Sequence, residues 1–304
     1  MNKEADDLNE DIRLAGEESL KDMKTISVEV PAPTKAELDS YFTEMLAGDS
    51  DQVLARIAMH FLQKRSAVEQ QVRELANAAP MLSMVSHSKM NHEGRTVARV
   101  GSLDDDLEGN ILSQVGDNMR LGADWLRETF RRGVESGVIT ASVLLEFLLA
   151  SPLYDDRRRP ILENGLTAFM RGDSVAAVHV LLPQVEAAMR SVAVLVSAPT
   201  FAKRRGGGYH ARLLDEFLRD ELVANALGED VMTYFRALLS DQRGWNIRND
   251  ICHGLAPIGM MTQAIADRIL HALLVLGCYH TSSDDEANVP SEVTHGKHSV
   301  QTAA

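Results

Sequence analysis

From residue 34 to residue 280 apolar side chains recur mostly at helical spacing, and caps and breakers cut that run into segments. Thr34-Lys35-Ala36-Glu37 is a capping-box pattern ahead of Leu38, Tyr41, Phe42, Met45 and Leu46, so a helix starts at Lys35. Val53, Ile57, Phe61, Leu62, Val72 and Leu75 form one stripe, predicting a second helical stretch from about Gln52 to Asn77 that Pro80 stops. Between Ser83 and Val100 the helical period fails. Asn91-His92-Glu93-Gly94 is turn chemistry and Thr96 to Val100 is rich in β-branched residues, which predicts a short hairpin. Helical patterning returns over Leu107 to Met119, Trp125 to Val134, and Ala141 to Leu149 behind a Thr140 cap, and Ser151-Pro152 breaks it.

Beyond Asp155 the helical period covers Pro160 to Met170, Ser174 to Val196, Ala211 to Leu222, Glu229 to Leu239 and Gly259 to Leu276. Glycine-bearing connections separate them, among them Gly206-Gly207-Gly208. Strand-like alternation is absent there. Pro183 removes a backbone donor inside the Ser174 to Val196 segment, so that helix should kink or restart. The fold class is therefore all-α, with a smaller N-terminal helical domain (34–152) that contains a hairpin, and a C-terminal helical bundle (153–280). The flanks differ. Residues 1–33 and 281–304 are polar and acidic, with nine acidic against four basic residues up to Val30, and read as disordered arms.

Charge changes the picture in one respect. The chain of 304 residues carries 31 Lys and Arg against 44 Asp and Glu, a formal −13, which argues against coating nucleic acid through the whole surface. The two arms hold most of that excess, so the folded part is only mildly acidic and a confined basic site is allowed. Two cysteines, Cys252 and Cys278, build no disulfide framework and suit a reducing compartment. The N-terminus has no basic and apolar leader, and runs such as Val192 to Val196 fall short of the roughly 18 apolar residues that span a bilayer. A cytoplasmic location without membrane attachment is the expectation.

Candidate chemistry concentrates in Arg248-Asn249-Asp250-Ile251-Cys252-His253-Gly254, the densest polar heptad of the bundle. On a helix Asn249 and His253 share a face, whereas Arg248 lies about 140° from His253. One helix does not aim Arg and His at the same atom, so either the segment begins in a turn or a second copy completes the site. A structural role is the competing reading, with Arg248 paired to a carboxylate such as Glu186 and the polar residues capping their own helix. Lys203-Arg204-Arg205-Gly206-Gly207-Gly208 offers three cations on a Gly-rich connection, suited to phosphates, although the Gly-Lys-Ser/Thr ending of a P-loop is missing. Metal-ligand spacings, a Gly-x-Ser-x-Gly elbow and a dinucleotide-binding Gly-x-Gly-x-x-Gly turn are all absent, so neither metal nor cofactor is expected.

The heptad matches R-N-x-x-x-H-G and resembles a family of unknown function within the HEPN (higher eukaryotes and prokaryotes nucleotide-binding) superfamily. Gly172-Asp173, Ala177 to Glu186 with its Pro-Gln-x-Glu core, Arg190, and the Asp241 to Ile247 lead-in extend the resemblance over roughly 157–279. What the resemblance implies is a HEPN-like bundle acting as a homodimeric, metal-independent endoribonuclease that leaves 2′,3′-cyclic phosphate, of the kind found in toxin–antitoxin and antiphage systems. RNA would be the substrate and an operon-encoded antitoxin a partner. Arg248 and His253 would be the catalytic pair, Asn249 the accompanying polar residue, and Gln184, Glu186 and Arg190 supporting residues. Apart from the resemblance, the cations of the Gly-rich connection, Lys203, Arg204 and Arg205, would contact RNA at the rim of such a site. The alternative is a non-catalytic helical interaction, scaffold or nucleotide-binding module, since the superfamily includes inert versions.

The two types suit the reaction. Imidazole, with an unperturbed pKa of about 6.5, gives or takes a proton near neutral pH. The guanidinium is always charged and offers a planar fork to a phosphate whose charge grows in the transition state.

Overall fold

The Thr34 hydroxyl and the Glu37 carboxylate exchange hydrogen bonds with each other's backbone, and the first helix, α1, runs Lys35–Met45 as the capping box requires. A computed structural model describes residues 33–91 and 93–280, together with 11, 14–16, 18 and 21; the acidic arms expected at 1–33 and 281–304 otherwise lie outside the described residues. The second expected helix is two helices, α2 (Ser50–His60) and α3 (Arg65–Ala78). No glycine or proline marks that break. The α3 N-terminus is instead capped from far away, by the Asp230 carboxylate accepting from the Arg65 amide at 2.7 Å. A single turn, α4 (Pro80–Ser83), leads to the hairpin β1 (His87–Met90) and β2 (Thr96–Val100), paired antiparallel with a bulge at Lys89/Met90.

Helices α5 (Leu107–Leu121), α6 (Ala123–Glu135) and α7 (Ala141–Leu149) follow, the last capped by the Thr140 hydroxyl on the Val143 amide. After a 3₁₀ turn come α8 (Arg159–Met170) and α9 (Ser174–Leu195). Pro183 does not interrupt α9. It sits on the exposed side of the helix, and His179, whose carbonyl it leaves without an intrahelical donor, is exposed as well. By length and composition α9 is apolar enough to cross a membrane, and half of it is buried inside the protein.

The chain then departs from the sequence pattern. Where a helix was expected from Ala211 and no strand at all, β3 (Phe201–Lys203) and β4 (Tyr209–Ala211) form a second hairpin. Short helices α10 (Leu214–Phe217), α11 (Glu221–Leu227) and α12 (Glu229–Phe235) follow, and Arg236–Ser240 forms one π-helical turn. The six-residue α13 (Ile247–Cys252) carries the heptad, and α14 (Gln263–Gly277) closes the fold.

Helix α14 is buried on nearly every side from Ala266 to Gly277 and packs against α2, α6, α7 and α9. It is the axis of the molecule. Buried residues from before and after residue 152, such as Leu54, Leu144, Leu181 and Phe235, belong to one hydrophobic cluster, so the two sequence regions share a core. The axis carries charge at its centre: Asp267, Arg268 and His271 are all buried. Nε2 of His271 donates to the Ala58 carbonyl at 3.0 Å and Nδ1 lies 2.7 Å from the Tyr234 hydroxyl, and burial favours the neutral imidazole. Among the described residues the protein is mostly helical, at 66%, with two small two-stranded sheets.

Candidate functional site

The heptad is positioned by the π turn before it. The Asp241 amide donates to the Arg236 carbonyl, five residues back, at 2.9 Å, so the Ala237 carbonyl loses its usual donor. The Trp245 amide takes it at 2.6 Å. That approach requires Gly244, because a Cβ there would lie 2.1 Å from the Ala237 oxygen. The Trp245 indole N–H donates to the Gly116 carbonyl on α5 at 2.8 Å. Arg243 clamps the connection by forking onto buried Asp241 and reaching Asp106. Burial alone would raise the Asp241 carboxyl pKa, but its side-chain and backbone hydrogen bonds with Arg243 outweigh that and hold it below the ordinary range.

Asn246 then adopts the left-handed conformation, φ 53°, and starts α13. Its amide donates to Asp250 at 2.9 Å, and its carbonyl oxygen accepts from the Asn249 amide at 2.8 Å. Asn249 also donates to the Ser240 carbonyl at 3.3 Å. Both of its amide hydrogens are thus spent on holding the turn. It does not orient His253 through its side chain; the contact between them is the His253 amide donating to the Asn249 carbonyl at 3.1 Å.

Arg248 points the other way, to α9. Its Nε and Nη2 donate to one Glu186 oxygen at 3.1 and 3.0 Å, while Nη1 reaches the Asn249 side-chain oxygen at 3.2 Å. Arg190 Nη2 donates to the other Glu186 oxygen at 2.7 Å and also to the Arg212 carbonyl. Its guanidinium lies 5.1 Å from the Phe217 ring centre. Two arginines on one carboxylate leave this trio a net +1. The Arg248 and Glu186 side chains are only 18% and 19% exposed, so that charge acts through little water.

His253 caps the C-terminal end of α13 and is exposed, and among the described residues its imidazole makes no hydrogen bond. Five helical positions, about 7.5 Å of rise and about 140° of rotation, separate it from Arg248. The single chain does not converge the two on one point.

Gln184 stands apart from the others. It is buried, accepts from Arg158 at 2.8 Å and returns its amide to the Val180 carbonyl, beside a cleft of about 150 Å³ that Arg190 and Tyr154 also line. At two positions from Glu186 it lies about 200° round α9, so the two members of the Pro-Gln-x-Glu core serve different faces. Lys203, Arg204 and Arg205 are exposed at the end of the second hairpin.

A cavity that no sequence pattern signals lies beside α13. About 870 Å³ opens between the first hairpin, the C-terminal end of α5, Trp245, Asp250 on α13 and the connection into α14. Lys89 enters it and donates to the Arg243 carbonyl. Burial lowers the Lys89 ammonium pKa below the ordinary lysine value, opposed in part by Asp117. Neither Arg248 nor His253 lines this cavity, so α13 stands between two polar sites. Four chain segments build it, and no local pattern signals it. Among the described residues no group of three or more His, Cys, Asp or Glu side chains is arranged to hold a metal ion.

Comparison with family models, with curated proteins and with solved structures finds no match to this chain.

Proposed function

We propose that the protein is a metal-independent endoribonuclease of HEPN type in which Arg248 and His253 act across a homodimer interface. The observation that carries the reading is the pairing, on one short helix, of an arginine in a net-positive trio with an exposed, uncommitted imidazole. Each does what 2′-OH attack on the adjacent phosphate requires. His253 moves the proton between sugar oxygens, and the N–H groups that Arg248 has left over from Glu186 face the growing phosphate charge. Glu186 and Arg190 position that guanidinium. Asn249 acts by bracing the turn.

A second copy supplies the missing convergence. Leu255 and Ile258, just after His253, are 62% and 75% exposed, an apolar surface next to the imidazole that favours association there. Purified protein should cleave single-stranded RNA in EDTA and leave 2′,3′-cyclic phosphate ends, and His253→Ala and Arg248→Ala should each abolish cutting. Cleavage that survives His253→Ala would sink the proposal. If the protein serves as a toxin or an antiphage effector, with an antitoxin encoded beside it, its expression should arrest a bacterial host only when both residues are intact.

One observation favours a second reading, a non-catalytic interaction or nucleotide-binding module. Asn249 and most of the Arg248 donors are spent on internal partners, while the 870 Å³ cavity is large enough for a small molecule. Under it, wild type has no nuclease activity, and Arg248→Ala changes stability alone.

A further inference from the structure

The second hairpin combines three features that no sequence pattern joined. Its strands are three residues long, and Phe201, Lys203 and Tyr209 occupy one face: Lys203 pairs directly with Tyr209, and Phe201 lies diagonally across. Phe201 is 60% and Tyr209 72% exposed, so two aromatic rings stand in water with a lysine beside them. Beyond them the turn bears Arg204 and Arg205. It is closed by hydrogen bonds from the Arg204 amide to the Gly208 carbonyl and from the Gly207 amide to the Arg204 carbonyl, with Gly207 and Gly208 at φ 90° and 75°. None of the three cations is in an ion pair among the described residues, whereas Arg157, Arg159 and Arg219 on other surfaces are each tied to a carboxylate. On an acidic protein this is a local site of opposite sign.

The base of the hairpin is held rigidly and leads to the candidate site. The Arg212 amide donates to the Thr200 carbonyl at 3.0 Å, and its guanidinium binds the Pro199 carbonyl, Asp220 and the Glu216 carbonyl. The Arg212 carbonyl accepts from Arg190, and Arg190 shares Glu186 with Arg248. One chain of bonds runs from the hairpin base to the proposed catalytic arginine.

We propose that this hairpin is a docking platform for single-stranded RNA, with unpaired bases stacking on Phe201 and Tyr209 and flanking phosphates held by Lys203, Arg204 and Arg205. Diagonal positions about 7 Å apart leave room for one planar ring between the two side chains. Every base has an aromatic face, so the platform is tolerant of sequence. A duplex hides those faces and binds less well. The proposal rests on the ribonuclease reading for its choice of RNA, and it assigns the hairpin the task of delivering the strand toward Arg248.

The test uses the full chain carrying His253→Ala, so that RNA stays intact, and the fluorescence anisotropy of a labelled 12-nucleotide RNA, single-stranded or in a duplex. Phe201→Ala and Tyr209→Ala should each weaken single-strand binding roughly 5- to 100-fold and leave the thermal melt unchanged, as suits exposed side chains. Lys203→Ala/Arg204→Ala/Arg205→Ala should lower the slope of log K against log salt by about 2, at about 0.7 per phosphate contact on a single strand. Hairpin-dependent binding by a wild type that never cuts RNA would leave the platform standing and remove the nuclease. No binding, equal binding of duplex, or affinity unchanged in Phe201→Ala/Tyr209→Ala would overturn the platform. So would a double variant that keeps its affinity and shifts from dimer to monomer in sedimentation, which would make the hairpin a contact between copies.

Discussion

Glu186 is the point at which the candidate site is joined to the core helix α9, and its removal makes a quantitative prediction. In wild type it accepts two hydrogen bonds from Arg248, at 3.1 and 3.0 Å, and one from Arg190 at 2.7 Å. At an effective dielectric near 20, charges about 4 Å apart attract by about 4 kcal/mol before desolvation and side-chain ordering are subtracted. With the Arg248 and Glu186 side chains 18% and 19% exposed, the net coupling should lie between that of a surface pair and that of a buried one, about 1–2 kcal/mol. The sign has a further source. Glu186→Ala leaves Arg248 and Arg190 facing each other uncompensated, so Arg248→Ala should cost less stability in that background than in wild type. Urea unfolding of wild type, both single variants and the double variant, followed by far-ultraviolet circular dichroism at low salt, measures the cycle. Additivity within about 0.3 kcal/mol would show that the trio does not hold Arg248, and the positioning role given to Glu186 would fall.

Other outcomes follow from the core. Burial pushes the Asp267 carboxyl up to about 6, only partly opposed by the Gln263 hydrogen bond, and its Oδ2 has no partner. A raised carboxylate pKa means the native state holds the proton more tightly than the unfolded chain. The Asp267 contribution should therefore fall by about 3 kcal/mol as pH rises from about 4 to about 6, read as the difference between wild type and Asp267→Asn in a pH series of urea melts, because His271 tilts both curves the other way over the same range. A difference between the two curves that stays constant over that range would contradict the buried carboxyl. Burial, with Arg268 adding to it, lowers His271 to about 3. Its contribution is complete above pH 6.5 and is lost toward pH 3 at up to about 1.4 kcal/mol per pH unit, a slope that His271→Gln should remove. Gly244→Ala should cost at least about 2 kcal/mol or detach the heptad from the π turn, detectable as a lower melting temperature with loss of the ordered Trp245 fluorescence.

Helices whose signals are local were legible in the sequence, such as α1 with its capping box and α7 behind Thr140. Elements decided at long range were not. The α2–α3 break depends on Asp230, far along the chain, and the second hairpin has strands too short to show alternation. Pro183 implies a kink or restart from sequence alone, because sequence does not say which side of a helix meets water. In the site, the Arg248–Glu186 pair, which the sequence offers as the structural alternative, is present. Gln184 was grouped with Glu186 because they are neighbours in sequence, although two helical positions point to opposite sides. The Lys89 cavity draws on four segments, none unusual by itself.

The π turn ties the order of the heptad to a single amide proton. Ala237 offers its carbonyl to Trp245 only while the helix keeps the wide turn, and Gly244 permits that approach only at zero side-chain volume. The Trp245 backbone amide is thus a native reporter of docking, exchanging with solvent when the segment lifts off the π turn. Its exchange rate, compared with that of an α14 amide, gives the free energy of opening the site apart from that of unfolding the protein.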